Sequence, residues 1–252
     1  MDIGNYARHA QFWDWSGHDR TEEHAYWCNY AARHGKNVLI PMCALGETGA
    51  YMARQGFNVT AFDLTPEMIA ECKKRFGDVP GLQLLEGDVS SFRFDIPPVD
   101  FCFSMDFGHL LTIESVKQAL ACINNHLRVG GCLVIEAELK LRGAKSGETP
   151  AQTFWPAQQV YPGRKVWKTG SGRIDAKAGR HYISQTFHIE DEAGSTECFE
   201  HAFYLQSYTR REWLAAFRAC GFALAGEHKS RAVDSWQSGG GGFRIFEAIK
   251  KF

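Results

Sequence analysis

The sequence lacks the features that define several large classes of protein. Its 252 residues carry a net charge of −1, so neither a nucleic acid nor an anionic membrane is expected as its main partner. No apolar run approaches the roughly 18 residues of a membrane span, and the N-terminus shows no basic segment followed by an apolar one. We therefore expect a soluble, unprocessed and cytoplasmic protein without a membrane partner.

Cysteine pairs are also missing. Eight cysteines are present, most of them inside apolar runs, and none lies in a Cys-x-x-Cys pair. This pattern predicts reduced core residues and argues against a disulfide framework and against a zinc framework. We expect no metal site.

A dinucleotide-binding loop is missing as well. After the apolar run 38–40, such a loop would have its first two glycines where this chain has Met42 and Ala44, and Gly46 is the glycine that remains. The phosphate cradle that NAD or FAD needs is not predicted, which disfavours an NAD-dependent reductase. The small residues Ala44 and Gly46 still allow a cofactor to approach the backbone.

The sequence does contain a nucleotide-binding unit of another kind. Residues 38–63 are predicted to form a strand, a glycine-bearing turn, a helix and a second strand that ends in Asp63, and the next helix begins at Thr65 and Pro66. An acid at the end of that second strand can accept hydrogen bonds from two ribose hydroxyls.

This string resembles motif I and its successor in class I S-adenosylmethionine-dependent methyltransferases. Their usual string is close to V-L-D-x-G-C-G-x-G, followed by D-x-S/T-x-x-M. Two positions depart from it, because Ile40 replaces the aspartate and Met42 replaces the first glycine. The resemblance implies S-adenosylmethionine as the cofactor and an α/β fold, namely a Rossmann-like sheet that is mostly parallel with an antiparallel last strand.

The order of the predicted elements indicates a single methyltransferase domain over residues 1–252. We divide it into an N-terminal lid and helix (1–34), a cofactor-binding core (35–142), a substrate-side insertion with an antiparallel hairpin and lid region (143–208), and a C-terminal helix and strand (209–252). The boundaries follow from caps, glycine stops and apolar periodicity. The main predicted elements are a helix capped by Thr21 and running to about His34, strands at 82–85, 100–104 and 132–137, a turn at 128–131, hairpin strands at 183–189 and 196–205, a helix after the capping box 209–212, and a last strand at 243–249.

Two further segments resemble glycine N-methyltransferases. Residues 20–27 match their R-T-x-E-x-x-x-W segment, which implies that Arg20 pairs with the carboxylate of the cofactor's methionyl group. Residues 107–110 match their F-A-H-L string, which implies that His109 lies beside the methyl-transfer site. The resemblance also implies that an acid at position 88 and the next side chain contact the adenine. The cofactor-binding residues predicted in this way are Tyr6, Trp13, Arg20, Met42, Ala44, Gly46, Asp63, Leu64, Met68, Asp88, Val89, Ser104 and Met105.

Three residues are predicted to act on the methyl acceptor. In-line attack on a sulfonium methyl needs alignment and a dry site, and His109 has an intrinsic pKa suited to accepting the proton of an amine. The Tyr6 hydroxyl would orient the methyl group or the nucleophile. Glu138 occupies the place of the arginine that binds the substrate carboxylate in glycine N-methyltransferases, which favours a cationic acceptor. The alternative is that Glu138 pairs with Arg142 or Lys140 at the rim.

Three functions are compatible with these motifs. Transfer of a methyl group to the amine nitrogen of a small molecule is favoured by the resemblance to glycine N-methyltransferases. Methylation of a small thiol is the first alternative, because Pro41-x-Cys43 resembles the P-x-C-G motif of thiol methyltransferases. The second is a protein that binds the cofactor and transfers nothing. A homo-oligomer is left open by the sequence.

Overall fold

The computed structural model describes residues 6–12, 20–105, 107–140, 143, 145–161, 163–229 and 242–252. Trp13 and Arg142, which the sequence hypotheses use, lie outside these residues. The helices are α1 (Tyr6–His9), α2 (Thr21–Ala31), α3 (Glu47–Arg54), α4 (Pro66–Phe76), α5 (Ile113–His126) and α6 (Arg210–Ala219), with a 3-10 helix at Phe107–His109. The strands are β1 (Asn37–Pro41), β2 (Asn58–Asp63), β3 (Leu82–Glu86), β4 (Val99–Ser104), β5 (Leu127–Leu139), β6 (Gly147–Tyr161), β7 (Arg164–Asp175), β8 (Arg180–Asp191), β9 (Thr196–Gln206), β10 (Phe222–Lys229) and β11 (Gly242–Lys250).

The main sheet has seven strands in the order β10-β11-β5-β4-β1-β2-β3. Strands β1 to β5 run parallel, whereas β11 is antiparallel to both of its neighbours. The strand order reverses between β1 and β4, and ligands of open α/β sheets bind at the carboxyl ends of strands at such a point. The predicted fold class, with its antiparallel last strand, is confirmed.

Helices cover both faces of this sheet, so its strands are apolar on both sides. Along β5, Cys132 and Val134 face one core and Leu133 and Ile135 face the other. On the first face, Trp27 of α2 stacks on a phenylalanine of β4, with ring centroids 4.6 Å apart. Such double burial is why the strands read as continuous apolar runs in the sequence.

The insertion between β5 and α6 is a second sheet, with the strand order β6-β7-β8-β9. The predicted hairpin is confirmed as β8 and β9, whose residues pair antiparallel from Arg180–Gln206 to Glu190–Thr196. Strands β6 and β7, which occupy most of residues 143–179, were not predicted. The inward positions of β7 include Lys168 and Gly170, which interrupt the apolar alternation that identifies a strand.

Several predicted boundaries needed correction. Thr21 is the first helical residue and not the cap, and α2 ends at Ala31 instead of His34. The predicted turn 128–131 lies inside β5, where these four residues interrupt the pairing with β4 opposite Asp100 and form a bulge. The capping box at Thr209 is confirmed, but β10 was not predicted. Within the described part of the chain, no helix is both long and apolar enough to cross a membrane.

Candidate active site

The loop between β1 and α3 has an unusual backbone. Met42, Ala44 and Gly46 have φ angles of 56°, 48° and 69°, so alternate residues adopt the left-handed conformation. Each non-glycine residue in this region costs about 1–2 kcal/mol, and surrounding contacts must hold it there. The N–H of Cys43 donates to the carbonyl of Phe62, at 3.0 Å. The loop therefore keeps the left-handed conformation of a glycine-rich turn although two of its glycines are absent.

Asp63 fixes this loop from the end of β2. One carboxylate oxygen accepts a hydrogen bond from the backbone N–H of Ala44, and the other accepts one from the N–H of Thr65, both at 3.0 Å. Burial raises the pKa of Asp63 above its ordinary value, and these backbone donors partly offset the effect. Each carboxylate oxygen has a second lone pair, so Asp63 can still accept two ribose hydroxyls.

A cavity opens over the loop at the carboxyl ends of β1 and β4. Its free volume is about 70 Å³, which is too small for a nucleoside, so binding must displace lining side chains. Met42 and Met105 are the flexible ones, because a methionine side chain has three rotatable bonds. Six of the predicted cofactor-binding residues meet at this cavity: Arg20, Met42, Ala44, Gly46, Ser104 and Met105.

A larger cavity of about 550 Å³ lies at the opposite end of the parallel strands, where β4 and β5 begin. It is lined by residues at the starts of β4 and β5, including Pro98, Leu127 and Arg128. None of the predicted site residues contributes to it, and it is distant from the carboxyl ends of the strands. The smaller cavity is therefore the candidate cofactor site.

Arg20 lines the cavity, and its positive charge is already paired with two carboxylates. Its guanidinium donates to both carboxylate oxygens of Glu23, at 2.7 and 3.1 Å, and lies 3.6 Å from the carboxylate of Glu47. A cofactor carboxylate would have to compete with these two acids. The predicted role of Arg20 stays a prediction.

Six other predicted cofactor-binding residues do not line this cavity: Tyr6, Asp63, Leu64, Met68, Asp88 and Val89. Leu64 is half-buried, whereas Met68 and Val89 are buried in the two cores. Asp88 accepts hydrogen bonds from the N–H and the hydroxyl of Ser90, at 2.8 and 2.7 Å. Asp88 therefore stabilises its own turn, and a role in binding adenine stays a prediction.

Tyr6 and His109, which were predicted to act on the methyl acceptor, are in contact with each other. The Tyr6 hydroxyl lies 3.2 Å from Nε2 of His109, and the Tyr6 ring is 4.3 Å from the ring of His201 on β9. Burial lowers the pKa of His109 to about 4. The expectation that His109 keeps its intrinsic pKa was therefore wrong, and the ring is neutral and weakly basic at neutral pH.

Glu138 has a partner that neither hypothesis expected. Its carboxylate lies 3.3 Å from Nδ1 of His181 on β8, so it connects the main sheet to the insertion. Lys140 instead donates to the carbonyl of Lys177, which corrects the expected pairing with Glu138. Burial raises the pKa of Glu138 to about 7, so its carboxyl group titrates near neutral pH.

Sequence reasoning missed a group of buried polar residues on the inner face of the insertion sheet. Lys168, Gln185 and His201 are 4%, 2% and 1% exposed. The His9 ring lies 4.6 Å from that of His201 and 4.7 Å from that of Phe187. Burial lowers the pKa of Lys168 to about 7. The alternation of β8 and β9 could have revealed Gln185 and His201, because it places both on the face that carries Phe187.

Comparisons with known proteins agree with this site. Residues 38–131 match the family model of a methyltransferase domain. This part of the chain is therefore a methyltransferase domain. The matched residues include the left-handed loop and Asp63, which are the parts that form the candidate cofactor site.

Individual relatives cover different shares of the chain. A demethylmenaquinone methyltransferase of Chlorobaculum tepidum is 30% identical over 44% of this chain and 48% of its own length. This chain therefore spans about half of that relative. A dTDP-3-amino-3,4,6-trideoxy-alpha-D-glucopyranose N,N-dimethyltransferase of Streptomyces venezuelae is 25% identical over 75% of this chain and 76% of its own length.

Solved structures show the same fold. An amino pentose methyltransferase from Micromonospora echinaspora, CalS10, was solved with S-adenosylmethionine bound. It superposes with a TM-score of 0.71 and 22% identity over 95% of this chain and 94% of its own length. The domain family and this neighbour support S-adenosylmethionine as the cofactor. The left-handed loop and the backbone-held Asp63 fit such a ligand.

Replacing Met42 with glycine should strengthen cofactor binding. Glycine adopts a φ of 56° without strain, and the loss of the side chain enlarges the cavity over the loop. We expect the dissociation constant of S-adenosylhomocysteine to fall roughly three- to tenfold in titration calorimetry, because the cofactor no longer has to displace the Met42 side chain. Relief of about 1 kcal/mol of backbone strain should instead raise the Tm, because the loop is left-handed before the cofactor binds. Tyr51→Ala on α3 serves as a control outside the loop. An unchanged or weaker affinity would show that Met42 does not restrict the site.

Proposed function

We propose that this protein transfers a methyl group from S-adenosylmethionine to the amine nitrogen of a small molecule. The observation that carries the proposal is the contact between Tyr6 of α1 and His109, which follows β4 along the chain. The carboxyl end of β4 lines the cavity over the left-handed loop. Two relatives that match three quarters or more of this chain support an amine, because their names describe an amino-sugar N,N-dimethyltransferase and an amino pentose methyltransferase.

The bound cofactor supplies an electrophilic sulfonium methyl group, so this chain must align the acceptor and exclude water. The neutral His109 ring can accept a hydrogen bond from an amine N–H without protonating the nucleophile. The Tyr6 hydroxyl keeps that ring in place. The insertion sheet covers this pair through His201 and Phe203, whose rings lie 4.3 and 6.2 Å from that of Tyr6.

A proton must leave the nitrogen once it has been methylated. His109 and His201 are poor acceptors for it, because burial lowers the pKa of each to about 4. Lys168 belongs to the same buried cluster and has a pKa near 7, which suits proton uptake at neutral pH. We assign proton uptake to Lys168.

A panel of acceptors tests the function. Free and nucleotide-linked amino sugars, simple amines and small thiols would each be incubated with the protein and S-adenosylmethionine, and formation of S-adenosylhomocysteine would be measured. We expect turnover with a member of the amine group, and the corresponding hydroxy sugars serve as matched controls. Turnover restricted to thiols would favour S-methylation. Binding of S-adenosylhomocysteine without turnover of any acceptor would favour a protein that only binds the cofactor.

Replacing Glu138 with glutamine should raise the KM of a cationic acceptor, if Glu138 faces it as the sequence predicts. Glu138 has a pKa of about 7, so its negative charge forms as the pH rises through 7. The ratio of the KM of the glutamine variant to that of the wild type should therefore be close to one below pH 6 and increase above pH 7. Steady-state kinetics across this range checks it.

Glu136→Gln is the matched control, since Glu136 lies two residues earlier on the same face of β5 and is more deeply buried. A ratio that does not depend on pH would remove Glu138 from the acceptor site. Glu138 would then serve to connect the main sheet to the insertion through its contact with His181.

A further inference from the structure

A cluster of metal-ligating side chains lies outside the candidate active site. His34, Cys132 and Glu247 each offer one donor atom, and these atoms all lie within 4.8 Å of one another. His34 follows the C-terminus of α2, whereas Arg20 of the cofactor cavity precedes its N-terminus. The cluster and the cavity are therefore at opposite ends of this helix.

The His34 ring belongs to this cluster and has one buried nitrogen. It stacks on Phe101 of β4, with ring centroids 5.5 Å apart and an angle of 8° between the rings. Its Nε2 atom is buried and has no hydrogen-bond partner among the described residues. A buried imidazole nitrogen is normally paired with a donor, an acceptor or a metal ion. The orphaned atom therefore indicates a ligand.

Cys132 and Glu247 are held in place by their strands. Cys132 is fully buried near the start of β5, and Glu247 lies on the neighbouring β11, opposite Val134. The Tyr30 hydroxyl donates a hydrogen bond to Oε2 of Glu247. Such a hydrogen bond from outside the ligand set is what usually orients a ligating carboxylate.

His228 of β10 supplies a fourth donor next to Glu247. Its Nε2 atom lies 3.9 Å from Oε2 of Glu247. Gly226 makes room for this ring, because a Cβ atom at that position would lie 2.9 Å from Nε2 of His228. The imidazole therefore lies beside the carboxylate and is exposed to solvent on its other side.

We propose that His34, Cys132, His228 and Glu247 form a binding site for a divalent transition-metal ion of the zinc type. Two imidazoles, one thiolate and one carboxylate form a donor set that suits Zn²⁺ and does not suit Mg²⁺ or Ca²⁺. A tetrahedral ion with bonds of about 2.0–2.3 Å has donors roughly 3.3–3.8 Å apart. The donor atoms of His34, Cys132 and Glu247 lie up to 4.8 Å apart, so they must approach one another by up to about 1.0–1.5 Å. His228 lies outside this group of three, and rotation of its exposed side chain must bring its Nε2 atom, now 3.9 Å from Oε2 of Glu247, toward the other two donors.

The charges in this region are compatible with such an ion. Binding displaces the Cys132 proton to solvent, so the ion, one thiolate and one carboxylate together carry no net charge. A neutral site suits the nearby cation Arg33, whose guanidinium lies 3.8 Å from the centre of the Tyr30 ring. The ion would join α2 to β5, β10 and β11, so we expect it to stabilise the fold. This proposal departs from the sequence-based expectation of no metal site.

Cobalt spectroscopy on the full-length, tag-free and reduced protein tests the proposal. We expect one equivalent of Co²⁺ to give the strong visible bands of a tetrahedral ion and a thiolate-to-metal charge-transfer band. Zn²⁺ should displace the Co²⁺ and raise the Tm. Cys132→Ser should abolish the charge-transfer band, and His34→Gln should weaken Co²⁺ binding roughly tenfold or more.

Cys102→Ser is the matched control, because Cys102 is also fully buried, on the adjacent β4, but faces the opposite core. Cys102→Ser should leave both the charge-transfer band and the affinity for Co²⁺ unchanged. If Cys132→Ser does not fold, His228→Gln decides at an exposed position by weakening affinity while retaining the charge-transfer band. Absence of a tetrahedral spectrum in the wild type, or affinity unchanged in both histidine variants, would overturn the proposal.

Discussion

Replacing Asp63 with alanine is expected to weaken binding of S-adenosylhomocysteine roughly 10- to 150-fold. The loss corresponds to about 1.5–3 kcal/mol for hydrogen bonds to a charged group. Two effects add in this variant, since the carboxylate is proposed to accept the ribose hydroxyls and already holds the Ala44 N–H of the loop. Titration calorimetry with S-adenosylhomocysteine measures the loss.

Asp100→Ala is the matched control for this prediction. Asp100 also accepts two backbone N–H groups, from Lys36 and Asn37 at 3.0 Å, but it lies at the opposite end of the sheet. Its loss should lower stability and leave cofactor affinity within a factor of about two, since distant sites act independently. Equal losses of affinity in the two variants would mean that Asp63 acts only through stability.

Replacing His109 with phenylalanine is expected to lower kcat roughly 100-fold or more, with little change in cofactor affinity. The ring volume is retained, but two features are lost: the hydrogen bond to Tyr6 and the ring nitrogen proposed to accept a hydrogen bond from the amine. The amine is then misaligned for attack on the methyl group. Tyr6→Phe should have a smaller effect in the same direction. Because the two residues form one pair, the double variant should lose less than the product of the two single effects.

His126→Phe is the control for His109. The His126 ring is also partly buried and stacks on Phe92, with ring centroids 4.5 Å apart, but it lies beside the distant larger cavity. The His126→Phe variant should have the kcat of the wild type at a temperature well below the Tm of both proteins. If the fall in kcat of the double variant equalled the product of the two single effects, Tyr6 and His109 would act independently. The proposed pair would then be removed from the mechanism.

The main sheet could be predicted because its sequence patterns match the structure: the apolar runs are buried strands, and the residues suited to helix starts begin helices. The β1–β2 unit and the start of α4 at Pro66 were defined by apolar runs and by residues suited to helix starts. Strands β6, β7 and β10 gave no such signal. Lys168 and Gly170 face inward on β7, and Gly226 interrupts β10 where the pairing with β11 shifts register. Tertiary packing determines these strands more than the local sequence does.

The candidate site was predictable where it depends on position along the chain. The loop after β1 and the acid that ends β2 follow from the order of elements. The left-handed conformation of Met42 and Ala44 does not, because these residue types disfavour it and contacts from Asp63 and Phe62 maintain it.

Contacts between distant segments were not predictable from a single sequence. The pairing of Glu138 with His181 joins residues of two different sheets. The pKa of His109 depends on burial by segments far away in the chain, so its intrinsic value was misleading. The contact between the rings of Tyr6 and His201, which are 4.3 Å apart, likewise joins segments that are distant in the chain.

The most direct test of the account is transfer of a deuterated methyl group from methyl-labelled S-adenosylmethionine to an amino-sugar panel, followed by mass spectrometry of the products. The account predicts one labelled methyl group on the nitrogen of an accepted amine for each S-adenosylhomocysteine formed, and loss of that product in His109→Phe. Label on a sulfur acceptor only, or no labelled product from a protein that binds S-adenosylhomocysteine, would contradict it.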